Sequence, residues 1–372
     1  MERQRKLRLI ATLLTLGVLV GLGGLAEWSV RYRESVRETV PGGATPGVFY
    51  LHNRTRFAFV RDHDYFRWIR INRLGFRGKE TSIEKPDGVF RIIAVGASTT
   101  FDRGVTANEL AWPSRLEVYL NELGGDQTFE VINAGVPGYT VLDNLIRLQT
   151  ELTSLDPDLI ILYHAHNDLF AAMQATPGGW TARPNEFIPP RLMDRWFGGS
   201  LLYSKVRGRL DLMANARALG SAAASPEQQP PFETRLDNGV EDFRSGVASF
   251  VSIAQVHGIP TLLPTVTTVD QSETEYWTRS FPSASPDEVA LGYDAYNDVI
   301  RDVGASLGAA VVETDSFGVD GFEFYEEGDP IHFNDAGAEE WARQLAPAVL
   351  ERIQGGALTA PPGSVPAAVG PR

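Results

Sequence analysis

Two widely separated segments of this chain carry the side-chain types that perform acyl transfer. Ser98 follows a glycine and an alanine at the end of the apolar run Arg91–Val95, so it lies on a predicted turn after a strand. Far downstream, Asp329 precedes His332 by three residues. A serine hydroxyl is a weak nucleophile until a base accepts its proton, and a histidine oriented by a carboxylate is the usual base. We therefore predict that folding unites Ser98, His332 and Asp329 as nucleophile, base and orienting acid.

Two further residues supply hydrogen-bond donors just past predicted strands. Gly135 comes shortly after the strand Phe129–Ile132, and Asn167 comes shortly after Leu159–Tyr163. In an open α/β sheet, active sites form at the carboxyl ends of the strands. Glycine allows close backbone approach, and an asparagine amide carries two donors. We predict an oxyanion hole made by the N–H groups of Ser98 and Gly135 and the side chain of Asn167, where each donor typically contributes about 3 kcal/mol.

These assignments compete with simpler structural roles. Ser98 could cap the helix that follows it, and His332 could mark a helix entry, because Asn334 looks like an N-cap. Other acidic residues near His332 could replace Asp329 as its partner, namely Asp315, Asp320 and Asp335.

A pair of histidines offers an alternative, metal-binding chemistry. His164 and His166 are two positions apart and are followed by Asp168. No second group of ligand-type residues accompanies them, and the chain has no cysteine, which excludes a thiol nucleophile and a Cys-ligated zinc site. We predict that Asp168 braces the loop and that neither a metal nor an organic cofactor is required.

The four segments, in their order along the chain, resemble the four blocks of the SGNH (GDSL-like) hydrolase family. The blocks are Gly96-Ala97-Ser98, Asn133-Ala134-Gly135, Ala165-His166-Asn167-Asp168 and Asp329-Pro330-Ile331-His332. Ala97 and Ala165 stand where many members carry aspartate and glycine. The resemblance spans roughly residues 88 to 354, and it implies a flavodoxin-like fold and a serine esterase.

From Val89 onward, predicted strands and helices alternate, which implies a parallel sheet with helices on both faces. The predicted strands are Arg91–Val95, Phe129–Ile132, Leu159–Tyr163, Thr261–Val266 and Ala309–Glu313. The predicted helices are Trp112–Leu123, Val141–Leu155, Val240–His257, Pro286–Leu307 and Ala336–Ile353. We therefore predict a three-layer α/β/α, doubly wound parallel sheet.

Composition divides the chain into four predicted parts. Residues 1–40 form a membrane anchor and stalk, 41–87 a small β-rich lead-in, 88–354 the hydrolase domain, and 355–372 a disordered tail. The hydrolase domain contains a long insertion, 171–240, whose first half is aromatic and proline-rich. Connections of this length are usually lids or disordered excursions, so we interpret it as a lid over the site or as a cover for the sheet edge.

The N-terminus indicates an extracytoplasmic protein. Four basic residues precede the uncharged run Leu9–Ala26, whose eighteen residues are at the short end of what spans a bilayer. We favour an uncleaved single-pass anchor with the catalytic domain outside the cytoplasm, the alternative being a cleaved secretory signal. The formal net charge of −13 argues against nucleic-acid binding, which needs basic surface.

The predicted function is that of a serine esterase that passes through an acyl-serine intermediate. The expected partner is a small-molecule or carbohydrate ester, with envelope or exopolysaccharide carbohydrate and lipid as substrate classes. Two alternatives remain open, namely an O-acyltransferase acting on polysaccharide and a non-catalytic carbohydrate-binding protein with the same fold.

Overall fold

The computed structural model describes most of the chain. The described residues are 2–36, 49–52, 54–55, 57–59, 61–65, 69–173, 200, 202–203, 206, 230–268, 276–277, 281, 284–318 and 322–355. The helices are α1 (Glu2–Val36), α2 (Ser98–Phe101), α3 (Trp112–Leu123), α4 (Val141–Thr150), α5 (His166–Met173), α6 (Phe232–Val256), α7 (Pro286–Leu307) and α8 (Asp335–Gln354). The strands are β1 (Phe49–Leu51), β2 (Phe57–Phe59), β3 (His63–Tyr65), β4 (Ile69–Ile71), β5 (Val89–Gly96), β6 (Thr128–Asn133), β7 (Leu159–Tyr163), β8 (Thr261–Pro264) and β9 (Ala310–Val312).

A five-stranded parallel sheet forms the centre of the protein. Its strand order is β6-β5-β7-β8-β9, which is the 2-1-3-4-5 order of flavodoxin-like folds. The chain reverses its direction of winding between β5 and β7, so a crevice opens there at the carboxyl ends of both strands. The predicted fold class is confirmed, and the first and third sequence blocks follow the two strands that border the crevice.

Helices cover the sheet in two groups. α3 packs against α8, whereas α6 packs against α4, α5 and α7. The rings of Trp112 on α3 and Trp341 on α8 lie 4.7 Å apart, edge to face, and both side chains are almost fully buried. Burying aromatic side chains of this size contributes several kcal/mol to the core. This contact joins α3, which follows the Ser98 loop, to α8, which follows the Asp329–His332 segment.

Most element boundaries agree with the sequence analysis, and two differ by several residues. α4 ends at Thr150, five residues before the predicted end at Leu155, and the chain continues there as a separate short 3-10 helix, Leu152–Leu155. α6 begins at Phe232, eight residues before the predicted start at Val240. Phe232 and Leu236 are both buried and belong to one face, but the polar residues between them obscure the periodicity. The short helix α5 was not predicted, because its sequence lies within the third block and was interpreted only as a functional loop.

The lead-in forms two β-hairpins, β1–β2 and β3–β4, so this segment is β-rich as predicted. Phe59 stacks on Phe101 at 5.1 Å, and both belong to a small apolar cluster that also contains Val136 and Tyr139. Phe101 ends α2, and Val136 and Tyr139 follow the second block. The lead-in therefore packs directly on the loops that surround the nucleophile.

The N-terminal helix α1 is continuous from Glu2 to Val36. Its residue Glu27 accepts hydrogen bonds from the Ser200 hydroxyl at 2.7 Å and from the Leu202 amide at 2.9 Å. Within the described part of the chain, no helix combines the length and apolar character needed to cross a membrane. The aromatic first half of the predicted insertion, apart from Tyr203, and residues 356–372 of the predicted tail lie outside the described residues.

Candidate active site

Ser98 is the first residue of α2 and follows directly from β5 through Gly96 and Ala97. The turn is tight, because a side chain at Gly96 would collide with Thr100 and with the carbonyl oxygen of Tyr163. The N–H groups of the first helical turn have no acceptor within the helix. The turn therefore presents the Ser98 hydroxyl and its backbone N–H together at the sheet edge.

The loop before α8 carries the predicted base and acid. The backbone N–H of Glu326 donates to the His332 carbonyl oxygen at 2.9 Å, and the N–H of Asp329 donates to the Glu326 carbonyl oxygen at 3.0 Å. Asn334 caps α8 through its side chain, which accepts from the Gly337 N–H at 2.9 Å. The helix-entry role weighed for this segment thus belongs to Asn334, and His332 is left to face Ser98.

Ser98, His332 and Asp329 form a continuous hydrogen-bonded chain. The Ser98 Oγ lies 2.8 Å from Nε2 of His332, and Nδ1 of His332 lies 2.7 Å from Oδ2 of Asp329. All three residues are at least nine-tenths buried. With Nδ1–H bonded to the carboxylate, Nε2 carries the lone pair that can accept the serine proton.

The Asp329 carboxylate receives donors on both oxygens. Oδ1 accepts the backbone N–H groups of Ile331 and His332, each at 3.2 Å. Oδ2 accepts from His332 and also from Nη2 of Arg103 at 3.2 Å. Burial alone would raise the pKa of this carboxyl, but the hydrogen bond from His332, the charges of His332 and Arg103 and the Ile331 N–H together lower it. The acid is therefore held ionised and in one orientation.

The competing acids have other partners. Asp315 pairs with Arg301 on α7, and Asp335 accepts from the backbone N–H and hydroxyl of Thr106 at 2.8 and 2.7 Å. Asp320 lies outside the described residues. Asp329 is thus the carboxylate that the structure places on His332.

An acidic cluster adjoins this pair. Glu326, Asp329 and His332 bring three ligand-type atoms within 4.8 Å of one another. The guanidinium of Arg103 stands among them, with Nη2 at 3.6 Å from Glu326 and 3.2 Å from Asp329. The positive charge of Arg103 therefore contacts both carboxylates, so the cluster is an ion-pair network within the protein.

The structure does not support the predicted role of Gly135. Its N–H donates to Oδ1 of Asn133 at 3.1 Å, so this donor is already engaged. A side chain at Gly135 would collide with the backbone of Thr100 and Phe101. The glycine is required because the second-block loop passes directly against α2, which is a packing role.

Asn167 lies on the first turn of α5 at the crevice. Its side-chain amide donates to the carbonyl oxygen of Tyr139 at 2.8 Å, and an amide nitrogen has a second N–H to offer. Gly138, next to Tyr139, adopts a φ of +84°, the left-handed region that favours glycine. The turn that meets Asn167 therefore contains Gly138.

His164 and His166 point to different partners and do not converge on a common point. Nδ1 of His164 lies 2.8 Å from Asp168, and its Nε2 lies 3.0 Å from the Asn144 amide. Nδ1 of His166 bonds to the Tyr293 hydroxyl, and its Nε2 lies 3.3 Å from the hydroxyl of Tyr276. A protein group lies within 3.3 Å of each of the four ring nitrogens, which disfavours the metal-binding alternative.

Asp168 and His166 have separate structural roles. Asp168 Oδ1 accepts the N–H of Val141 at 3.0 Å, which ties α5 to the start of α4 and agrees with the predicted bracing role. Burial lowers the pKa of His166 to about 3, and the nearby charge of His332 acts in the same direction. His166 is therefore a neutral hydrogen-bonding group beside the site.

Sequence reasoning missed Arg77, which holds the nucleophile loop from the lead-in. Its buried guanidinium donates to the carbonyl oxygens of Phe101 at 2.9 Å and Asp102 at 2.7 Å, and to the Asn108 side chain at 3.0 Å. It also lies 4.8 Å from the Phe101 ring centre. A lone arginine in a Gly-Phe-Arg-Gly segment carries no local sign of such long-range contacts, so only the fold reveals them.

Residues 94–340, more than half of the chain, match the model of the GDSL-like Lipase/Acylhydrolase family. No curated protein matches the chain.

Several solved esterase structures are similar to this chain. The acetyl xylan esterase AlAXEase is 16% identical, with 70% of this chain and 99% of that chain covered and a TM-score of 0.42. A lipase/acylhydrolase from Enterococcus faecalis is 17% identical, with 70% and 96% covered and a TM-score of 0.41. The acetylxylan esterase Axe2 from Geobacillus stearothermophilus is 15% identical, with 71% and 94% covered and a TM-score of 0.41. On its family match, the chain belongs to the GDSL-like lipase/acylhydrolase family, whose members hydrolyse ester bonds.

Proposed function

We propose that this hydrolase is a serine esterase that passes through an acyl-serine intermediate. The observation that carries the proposal is the chain of short contacts from Ser98 through His332 to Asp329, 2.8 and 2.7 Å long. A hydrogen-bonded nucleophile and base, with the base oriented by an acid, is the arrangement that activates a serine hydroxyl.

The proposed reaction has two halves. His332 accepts the Ser98 proton while Oγ attacks the ester carbonyl, and the imidazolium then protonates the departing alcohol. Water, deprotonated by His332, then attacks the acyl-serine, and the imidazolium returns the proton to the Ser98 oxygen as the bond to the acyl group breaks and the acid is released. The Ser98 N–H and the second N–H of the Asn167 amide are the proposed donors to the oxyanion, and Gly135 is no longer among them.

A fluorophosphonate probe tests this proposal, because it forms a covalent bond only with an activated serine. Wild-type protein should be labelled at Ser98, as located by peptide mass spectrometry, and Ser98→Ala should be neither labelled nor active on p-nitrophenyl acetate. Ser82→Ala is the matched control, since Ser82 is exposed and its hydroxyl donates to the Glu84 carbonyl oxygen within its own turn. Folded wild-type protein that resists labelling would refute the mechanism and favour the carbohydrate-binding alternative.

For the substrate, we propose an ester-linked acyl group on envelope or exopolysaccharide carbohydrate, with lipid esters as the second class. The support is the predicted extracytoplasmic location, where such esters occur. Release of acetate from acetylated polysaccharide should exceed release of fatty acid from lipid esters. An acceptor sugar added to the assay distinguishes acyl transfer, which yields an acylated sugar, from hydrolysis, which yields free acid.

We also propose that residues 1–40 anchor the protein to a membrane with the remainder outside the cytoplasm. The support is the basic start before the run Leu9–Ala26, together with large apolar side chains exposed along α1, among them Leu14, Val18, Val20, Leu22 and Leu25. Full-length protein should sediment with membranes after carbonate washing, and protein lacking residues 1–40 should not. Alkaline phosphatase fused after Arg372 should be active, and an inactive fusion would reverse the proposed orientation.

A further inference from the structure

Two loops meet around the proposed catalytic acid and are joined at several points. One loop runs from Arg103 to Thr106, directly after α2, and the other carries Glu326 to Asp335. A side chain at Gly104 would collide with the Phe333 carbonyl oxygen and with Glu326, so the two backbones are in close contact. The nucleophile and its acid are thus linked by a second connection, besides the hydrogen bond from Ser98 to His332.

Arg103 forms the charged part of this connection. Its Nη2 lies 3.2 Å from Asp329 Oδ2, the same oxygen that accepts from His332 Nδ1. The backbone N–H of Arg103 donates to the Ser98 carbonyl oxygen at 3.2 Å. One residue therefore contacts the backbone of the nucleophile and the carboxylate that orients the base.

Glu326 forms a second ion pair with Arg103. Its carboxylate lies 3.6 Å from Arg103 Nη2, and its backbone N–H donates to the His332 carbonyl oxygen at 2.9 Å. The side chain of Arg103 is about a third exposed and that of Glu326 is largely buried. The guanidinium is thus shared between a carboxylate that serves the base and one that does not.

The proposed function has no role for either residue, and we infer that Arg103 is a positioning residue. It fixes the orientation of the Asp329 carboxylate, and its positive charge opposes protonation of His332, while Glu326 moderates that charge. This inference rests on the proposed serine mechanism.

Other titratable groups near the pair contribute little charge. His166 faces it from α5 and is neutral above about pH 3, the pKa to which burial lowers it. Tyr293 faces it from α7, and burial raises its pKa well above the ordinary value. Besides Asp329, which bonds to His332 directly, Arg103 and Glu326 are the charged side chains that the described residues bring to the pair.

The sign of each charge gives opposite predictions for two variants. A cation near the imidazole disfavours its protonated form. The acidic limb of the profile, which is the rise of the labelling rate with pH, should therefore move to higher pH in Arg103→Gln. Glu326→Gln removes the opposing negative charge and should move the limb to lower pH. We expect shifts of about half a pH unit, the size of coupling between charges at a partly exposed site. Arg103→Lys keeps the charge and should retain the wild-type limb.

Arg103→Gln should also lower the rate at the pH plateau by about threefold to tenfold, because the carboxylate loses one of its four donors and orients His332 less firmly. Thr106→Val is the matched control. It removes the hydroxyl hydrogen bond to Asp335 from the same loop contact, keeps the backbone one, and does not touch Asp329. It should lower the melting temperature and leave the rate profile unchanged.

The experiment measures the second-order rate of fluorophosphonate labelling from pH 5 to 9 on full-length protein, so no natural substrate is needed. Opposite shifts for Arg103→Gln and Glu326→Gln, with none for Thr106→Val, would establish the inference. An unshifted limb in a folded Arg103→Gln variant would overturn it and leave the serine mechanism standing. Absence of labelling in the wild type would overturn the proposed function, and this inference with it.

Discussion

The side-chain amide of Asn167 donates to the carbonyl oxygen of Tyr139 at 2.8 Å. This bond joins the start of α5 to the turn that follows the second sequence block, across the crevice between β5 and β7. One N–H of the amide is used by the protein, and the other is the one proposed to meet the oxyanion. The orientation of a donor in the active site is therefore set by the backbone of a neighbouring loop.

Replacing Asn167 with alanine should lower kcat by about 10²–10³-fold and change KM little, because an oxyanion donor acts mainly in the transition state. The same change frees the Tyr139 turn, so Tyr139→Phe is the matched control. It removes the hydroxyl that bonds to Thr55 at 2.9 Å and keeps the carbonyl oxygen that Asn167 uses. Hydrolysis of p-nitrophenyl acetate gives both constants. A wild-type kcat in Asn167→Ala would exclude the amide as a donor.

Replacing Asp329 with asparagine should lower kcat by about 10³–10⁴-fold, since an amide would no longer hold His332 with its lone pair on Nε2. Asp315→Asn is the control, because that acid is near in sequence but pairs with Arg301. Circular dichroism should show both variants folded. Loss of activity in Asp315→Asn with activity kept in Asp329→Asn would mean that the acid has been misassigned.

Replacing Asp102 with asparagine should stabilise the protein increasingly as the pH rises from 5 to 8. Burial raises the pKa of Asp102 to about 8, whereas an unfolded aspartate ionises near 3.9. In that window the unfolded chain releases a proton that the folded chain keeps, so the wild type loses stability as pH rises. Asparagine has no such proton, tolerates the φ of +65° found here, and can still accept from Trp112.

The measurement is the free energy of unfolding in urea for wild type and Asp102→Asn at pH 5, 6, 7 and 8. The difference between the two proteins should grow with pH. A difference that is constant over this range would show that Asp102 is ionised throughout and paired with Arg77.

Replacing Arg77 with methionine should cost about 3 kcal/mol or more in unfolding free energy, because buried carbonyl oxygens at Phe101 and Asp102 lose their donor. Arg70 on the same lead-in is the matched control. Its side chain is 41% exposed and pairs with the exposed Asp64 at 2.9 Å. Ion pairs with this much solvent contact contribute little, so Arg70→Gln should unfold like the wild type. Equal stability of both variants would show that the lead-in is only loosely attached.

The sheet and the triad geometry were accessible from the sequence, because they depend on local patterns. Apolar runs such as Leu159–Tyr163 predict buried strands, and parallel strands bring their carboxyl ends to one edge. Ser98 lies just past a predicted strand, and the Asp329–His332 segment lies just before the last predicted helix. Their side-chain types, a serine with a histidine and an acid, predicted their meeting. The remaining question was which acid pairs with the histidine, and three-residue spacing favoured Asp329.

The contacts that could not be predicted from the sequence are those that depend on tertiary packing. Gly135 and Gly138 both follow the same strand, and nothing local shows that one N–H is taken by Asn133. Arg103 and Arg77 each bond to residues that are remote in sequence or in another element, and a charged side chain gives no indication of its partner. Such residues are found only once the loops have been placed.

The hydrogen bonds from Arg77 to the loop after Ser98 limit how short an active fragment of this enzyme can be. Similarity to the family starts at residue 94, yet Arg77 and the hairpin residue Phe59 pack on the loop that presents Ser98. A truncation at the start of the family match would leave the carbonyl groups of that loop without their donor and would uncover Phe101. A fragment that keeps these contacts therefore has to start no later than β1, which pairs with the strand that carries Phe59. The smallest fragment expected to fold and act is thus longer than the stretch that matches the family.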